Sequence, residues 1–446
     1  MKENEREKWK TRAGFIAAAS GSAIGLGNIW RFPYITGKYG GGVFVFIYIL
    51  LLIFIGYPIM NSELLLGRKT ERNPVGVYRT LAPGSPWILV GFMGVTSGFI
   101  ILSYYSVVAG WALSYIFKST LYMANNADAT NIFFTSISST FGNIFWHTIF
   151  MLLCTGIVIG GIEHGIEHWA RIVMPVLLSL LIILTARSVT LPNSGEGLSF
   201  YLRPDFSRLS TEGFLAALGQ VFFSLSLGMG CMITYGSYLK KDEDLPLNAK
   251  YVVGMDTIIA LLAGLVIFPA VFSLGLKPEI GPSLTFITIP SILAKMGIAG
   301  HIFGLFFFIL LVIAALTSAI SLLEVVTAYF IDEIKWNRKK AGIIVGIGIW
   351  LLGILPSLGY STFSYVKLIK GYNILDSFDF ITNNILLPLG GLLVTLFIGW
   401  FWGTDNALEE ANRGTNNRLG IGYSFLIKYV IPFAIFIIFL NSIGIL

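Results

Sequence analysis

Charge is what this chain of 446 residues has least of. Asp, Glu, Lys and Arg make up 12% of it, where an ordinary soluble domain carries about 25%. So little charge cannot cover a water-exposed surface of this size, and the 55% apolar content excludes intrinsic disorder. Cysteine is nearly absent too. Cys154 and Cys231 both lie in apolar stretches, which excludes a disulfide framework and a zinc ribbon. Four histidines without an HExxH pattern leave little for metal-hydrolase chemistry. What the chain has in excess is long apolar runs, with a mean hydropathy of +0.78. Its net charge of +6 reads as membrane topology rather than affinity for nucleic acid, because the basic residues sit in short loops between those runs. The expectation is an all-α polytopic membrane protein.

The basic stretch from Lys2 to Arg12 followed by an apolar run partly fits a cleaved signal peptide. Glycines interrupt that run, it ends in Arg31-Phe32-Pro33, and many further spans follow. A first membrane span is therefore the better reading.

A helix crosses the hydrocarbon core with about 20 apolar residues. On that measure the chain has eleven spans, at roughly 13–36, 42–66, 88–117, 144–161, 166–190, 213–239, 250–276, 299–331, 341–359, 375–402 and 422–445. The Pro- and Ser-rich stretch 278–297 reads as a re-entrant or extracellular loop. With the N-terminus inside, twenty of the 30 Lys and Arg residues fall in cytoplasmic segments, which orients the chain N-in by the positive-inside rule. Eleven spans then put Leu446 outside. A multi-pass location in the plasma (inner) membrane is expected.

Two spans carry small polar residues and glycines at their middles. The first holds Gly21-Ser22-Ala23-Ile24-Gly25-Leu26-Gly27-Asn28, the sixth Ser224-Leu225-Ser226-Leu227-Gly228-Met229-Gly230. Glycine weakens a helix by about 1 kcal/mol relative to Ala, and Ser and Asn compete for backbone groups. Close helix packing through small residues is the alternative for either motif alone, and Gly21 and Gly25 in the first have its spacing. The motifs' places in the order favour unwinding instead. Spans one and six would each open a five-helix unit, residues 13–190 and 213–402, with span eleven (422–445) added. An odd number of helices per unit gives the two units opposite orientations, the arrangement of an inverted repeat.

Unwound backbone at mid-membrane is tolerated only where protein buries it or it lines a cavity. Its carbonyls offer oxygens to a small hard cation, and amides at a half-helix N-terminus offer donors to a carboxylate. One break can thus hold an ion and a carboxylate side by side without any catalytic group. Nearby polar side chains are Asn28, Ser224, Ser226, Thr317, Ser318 and Asp256. A charged residue within a span marks a functional site by default. For Asp256 the alternative is a hydrated place near the cytoplasmic end, since Lys250 lies close in sequence. For Thr317 and Ser318 it is a bond back to the i−4 carbonyl. Arg31 and Asp379 lie toward the outside, Arg6, Trp9 and Asp332 toward the cytoplasm. Arg–carboxylate pairs suit gates, but sequence alone favours interfacial snorkelling for Arg6 and Asp332.

The segment Trp9 to Pro33 closely resembles the first helix of the neurotransmitter:sodium symporters, and Gly219 to Gly230 resembles their sixth. Tyr104-Tyr105, Ala314 to Ser318 and Leu375 to Phe380 match further helices. Gly165 and Pro175, with nine residues between them, resemble a fifth-helix motif linked to cytoplasmic unwinding. The likeness runs over nearly the whole chain. It implies the LeuT fold and two sodium ions. The first ion would be held by the Ala23 carbonyl, Asn28, Ser224, Asp256 and the substrate carboxylate. The second would meet carbonyls of Gly21, Ile24 and Ala314 and the hydroxyls of Thr317 and Ser318. The substrate carboxylate would meet the Leu26 and Gly27 amides and the Tyr105 hydroxyl, and its amino group the carbonyls of Phe223 and Ser226. Its side chain would lie among Ile101, Phe223, Met229, Ser318 and Leu322, an uncharged wall that suits a neutral, hydrophobic or aromatic amino acid. Trp30, Arg31 and Tyr105 would close the outside.

Two departures from relatives bear on function. Asp256 stands where many members carry Asn, so a fixed carboxylate would replace the chloride that animal members need. No acid stands near Gly25, where monoamine transporters carry one. The sequence therefore points to sodium-dependent, chloride-independent amino-acid symport with no enzyme activity. The alternatives left open are a proton-coupled permease using Asp256 or Glu324, an amino-acid sensor or channel, and an enzyme built on the Glu163, His164, Glu167 and His168 cluster.

Overall fold

The computed structural model describes residues 6–124, 129–273, 275, 285–287, 289–290, 298–369 and 371–442; the loop expected at 278–297 lies mostly outside them. Among the described residues the architecture is all-helical, with one isolated bridge between Gly41 and Pro204. Among the described residues, nine helices are long and apolar enough to cross a membrane. The first and sixth spans complete the eleven, each split into shorter helices that fall below that length.

Helix starts follow from capping chemistry. Thr11, Ser139, Ser210, Asn337 and Asn373 open the first, fourth, sixth, ninth and tenth spans, each side chain accepting a first-turn amide. The expected boundaries hold to within a few residues. The second span runs over Gly42–Thr70, the fifth over Ile162–Val189, the seventh over Leu245–Ser273 and the tenth over Ile374–Trp402. Short helices Pro74–Leu81, Ala129–Ile137, Ser194–Leu202 and Thr404–Ala411 join the spans. They are too short and too polar to register as apolar runs. The first of them is set by Asn73, whose carboxamide accepts from the Val75 and Gly76 amides, with Pro74 at the first helical position.

The spans differ in how much they face lipid. In the eighth, 72% of the most apolar window is buried against protein, in the fifth 28%. The eighth span therefore lies at the centre of the bundle and the fifth on its rim. Spans one, three, six and eight meet around the two interruptions, which places those interruptions deep inside the protein.

Candidate functional site

The first span is helical over Arg12–Ala23, and Ile24 then turns extended (φ −81°, ψ 99°). Helix resumes past Leu26 in a π turn, Gly27–Arg31. The sixth span is helical over Thr211–Ser224 and again over Cys231–Gly236. Between those halves Ser226, Gly228 and Gly230 take positive φ angles of 53°, 78° and 79°. Glycine relieves two of the three at no steric cost. At Gly228 a side chain would also run into the Leu387 carbonyl. Ser226 is held by its own hydroxyl, which donates to the Ser22 carbonyl at 2.8 Å and so ties one break to the other.

Freed groups of the first break converge with side chains at two places. At one, the hydroxyl of Ser318 lies 3.0 Å from the Ser22 carbonyl and 3.4 Å from those of Gly21 and Ile24. The Thr317 hydroxyl lies 3.0 Å from the Ala314 carbonyl and 3.4 Å from Ile24's. Four carbonyls facing two hydroxyls is an oxygen-rich, donor-poor cluster, the coordination chemistry of a hard cation. Thr317 also bonds back to Ile313 at i−4, the alternative weighed for it from the sequence.

At the other place Asp256 is fully buried, not hydrated at the membrane surface. Its Oδ1 accepts from the Asn28 amide at 2.7 Å, and the Ser224 hydroxyl lies 2.8 and 2.9 Å from its two oxygens. Tyr48 donates toward Oδ2 at 3.3 Å. Asn28 in turn accepts from the Gly25 amide at 3.2 Å. A buried carboxylate with no cationic side chain bonded to it costs free energy unless a positive charge joins it.

Between the two places lies a cavity of about 350 Å³, lined by Ser22, Ala23, Gly25, Gly27, Ile101, Tyr105, Phe223, Ser226, Met229, Ser318 and Leu322. None of these carries a charge. The Leu26 amide donates to the Tyr105 hydroxyl at 3.2 Å, while Leu26 itself lines the space beyond. Gly25 must lack a side chain, because a Cβ there would stand 2.5 Å from the Ser318 hydroxyl and 2.9 Å from Tyr105's.

Access differs on the two sides. Away from the N-terminus a vestibule of about 1310 Å³ shares Tyr105 and Phe223 with the cavity and is walled by Trp30, Arg31, Tyr34, Tyr104, Asp379 and others. Arg31 and Asp379 both line it but form no ion pair, contrary to what a closed gate requires. The Arg31 guanidinium lies 4.7 Å above the Phe223 ring, and Asp379 accepts from Asn383 at 2.7 Å. On the N-terminal side the route is shut. Arg6 bonds both oxygens of Asp332 at 2.5 Å and the Ser237 hydroxyl at 2.6 Å, and Asp332 also accepts the Asn73 amide at 2.8 Å. Burial works against the charge on Arg6, but Tyr238 and Asp332 outweigh it and hold its pKa above the ordinary arginine value. Trp9 is buried, and its ring N–H donates to the Tyr235 carbonyl at 3.0 Å. Snorkelling, which the sequence favours for Arg6 and Asp332, is thus corrected to a mostly buried pair. Gly165 lies in the π turn Ile162–Glu167 and Pro175 within the helix His168–Val189, so the fifth span is wound throughout this stretch.

Three contributors escaped sequence reasoning. Tyr48 gave no signal, being one aromatic residue in an apolar span. Glu63 did: it is a carboxylate within a span, as Asp256 is, and the same rule applies to it. It accepts the Gly228 amide at 2.6 Å and so supports the second break. Gln220 donates to the Gly27 carbonyl at 2.9 Å and links the two broken spans. Among the described residues no three His, Cys, Asp or Glu side chains gather as a metal centre.

The model of the Sodium:neurotransmitter symporter family matches residues 6–137 and 121–445. A Bacillus subtilis protein described as the uncharacterized sodium-dependent transporter YhdH is 40% identical over 451 residues, covering 100% of both chains. An uncharacterized sodium-dependent transporter of Haemophilus influenzae is 35% identical over 452 residues, covering 98% of each. Among solved structures, MhsT in complex with L-phenylalanine superposes with a TM-score of 0.91 at 46% identity, covering 98% of this chain and 100% of that one. The expected LeuT-type, all-α polytopic architecture is the observed one.

Proposed function

Because the chain belongs to the Sodium:neurotransmitter symporter family, we propose that it is a sodium-driven symporter of a neutral, hydrophobic or aromatic amino acid, working by alternating access and independent of chloride. The observation that carries this reading is the uncharged cavity between the two breaks, flanked by Asp256 on one side and by the carbonyl cluster at Thr317 and Ser318 on the other. An acidic or basic substrate side chain would lie there without a partner. The likeness to a protein solved with L-phenylalanine supports the aromatic end of the range.

In this reading one sodium ion sits among the Ala23 carbonyl, Asn28, Ser224, Asp256 and the substrate carboxylate. A second sits among the Gly21, Ile24 and Ala314 carbonyls and the Thr317 and Ser318 hydroxyls. The substrate carboxylate takes the Leu26 and Gly27 amides and the Tyr105 hydroxyl, and its ammonium the carbonyls at Phe223 and Ser226. Sodium completes the charge balance of Asp256 and the substrate together, so ion and zwitterion favour each other's binding. The carboxylate of Asp256 fills the role that chloride plays in animal relatives. The N-terminal face is cytoplasmic, residues 13–190 and 213–402 are the two inverted repeats, and the described state opens its vestibule outward. Arg31 swings from Phe223 toward Asp379 as the outside closes, and the second ion leaves inward as the fifth span loosens near Gly165. The membrane is the plasma membrane.

The competing proton-coupled reading would use Asp256 or Glu324. Glu324 is engaged by Arg338 at 2.8 and 3.0 Å and by Tyr238 at 2.6 Å, which favours a structural role for it. Uptake of the twenty amino acids into proteoliposomes under an imposed sodium gradient tests the proposal. Phenylalanine, tryptophan or leucine should accumulate with sodium inward and not with a proton gradient. Equal accumulation under a proton gradient alone would reverse the assignment.

A further inference from the structure

The residues ahead of the first span form a strap. The Trp9 amide donates to the Tyr238 carbonyl at 3.1 Å, and Arg6 reaches Asp332. Glu7 has two partners. Its Oε1 accepts from Arg338 at 3.0 Å, and its Oε2 accepts the Ile162 backbone amide at 2.8 Å. Ile162 is the first residue of the fifth span, where amides have no partner within the helix. The residue before it, Gly161, has no side chain to offer. The acceptor comes instead from Glu7, 155 positions earlier in the chain.

The fifth span returns the bond. Glu167, buried in its first turns, accepts the Lys10 backbone amide at 2.8 Å and the Thr11 hydroxyl at 2.7 Å. Thr11 is itself the N-cap of the first span, accepting the Gly14 amide at 2.9 Å. The Lys10 ammonium adds an ion pair to Glu163 at 2.5 Å. The fifth span's first amide is thus held by a carboxylate from ahead of the first span, and the first span's N-cap residue and the one before it by a carboxylate of the fifth.

The geometry points to a reciprocal cap: Glu7 positions the start of the fifth span, Glu167 positions the start of the first, and the two helix ends loosen together or not at all. The inference deepens the proposed transport cycle and rests on it for its consequence. The first span carries the Gly21, Ser22 and Ile24 carbonyls of the second ion's cluster, and the fifth span carries the Gly165 turn. Freeing the strap would then open the ion's exit, and Glu7 is the positioning residue that makes one event of the two. A carboxylate is not needed for the cap itself, only an acceptor oxygen, whereas the bond to Arg338 draws on its charge.

That distinction supplies the test. Backbone hydrogen exchange is followed by mass spectrometry on the full chain in lipid nanodiscs. Glu7→Ala should speed exchange in both 162–167 and 9–14, on the order of five-fold, the usual effect of losing a helix cap. Glu7→Gln, which keeps the acceptor and loses the charge, should stay near the parent at 162–167. Apparent sodium affinity should fall in Glu7→Ala with the ranking of amino acids unchanged. Faster exchange in Glu7→Ala confined to residues 9–14 would overturn the reciprocal cap, and so would Glu7→Gln matching Glu7→Ala at 162–167. Absence of sodium-dependent uptake by the parent would count against the functional reading and leave the exchange comparison intact.

Discussion

Replacing Asp256 by Asn is the sharpest perturbation of the ion site, because it removes the charge at nearly constant volume, with an N–H donor taking the place of the Oδ2 acceptor that faces Tyr48 and Ser224. The side chain is fully buried, and asparagine has nearly its volume. An amide oxygen at that place still accepts from Asn28, now 2.7 Å from Oδ1, and from Ser224 at 2.8 Å. What disappears is the attraction between a carboxylate and a bound cation. At about 4 Å and an effective dielectric near 20, that attraction is about 4 kcal/mol. Tenfold in affinity corresponds to about 1.4 kcal/mol, so the half-saturating sodium concentration should rise by roughly three orders of magnitude. Without sodium the variant should be no less stable than the parent, because an uncompensated buried charge is removed. The assay is binding of a labelled amino acid to purified protein across a sodium titration, with thermal unfolding in sodium-free buffer as the control. A sodium midpoint within about tenfold of the parent's, in a protein that unfolds normally, would show that Asp256 does not face the ion.

Gly25→Ala puts a methyl 2.5 Å from the Ser318 hydroxyl and should abolish amino-acid binding while the protein still purifies as a folded monodisperse species; retained binding would remove Gly25 from the cavity wall. Thr317→Val with Ser318→Ala removes two hydroxyls, each worth about 0.5–1.5 kcal/mol, and should lower sodium affinity roughly five- to 150-fold, read by sodium titration of binding. Asp332→Asn weakens the bond to Arg6 and should raise labelling of cysteines introduced near Trp9 on the N-terminal face; unchanged labelling would mean the pair is no gate. Replacing chloride by gluconate should leave uptake intact, and a large drop would contradict the role given to Asp256.

Much of this was legible because the bilayer imposes simple rules. Apolar runs gave all eleven spans, and the Gly- and Ser-rich centres gave both breaks, since a backbone that cannot pack as helix has few other places to be in lipid. What stayed hidden depends on contacts between distant positions. Arg6 and Asp332 are separated by 326 positions and neither flank advertises the other. Tyr48 matters only because the second span happens to pass Asp256. The Arg31–Asp379 pair was inferred from sides of the membrane alone, and that logic cannot tell an open vestibule from a closed one. Glu63 is a different case: its charge within a span was open to view, and only its partner, the Gly228 amide, needed the structure.

The central claim is that a sodium ion and a zwitterion meet at the paired breaks through one shared carboxylate. Calorimetric titration of the purified protein with L-phenylalanine and with phenethylamine, each at low and high sodium, addresses it directly. The amino acid should bind far more tightly at high sodium, and the amine, which lacks the carboxylate, should bind weakly with no sodium dependence. Sodium enhancement of equal size for both ligands would contradict the shared site.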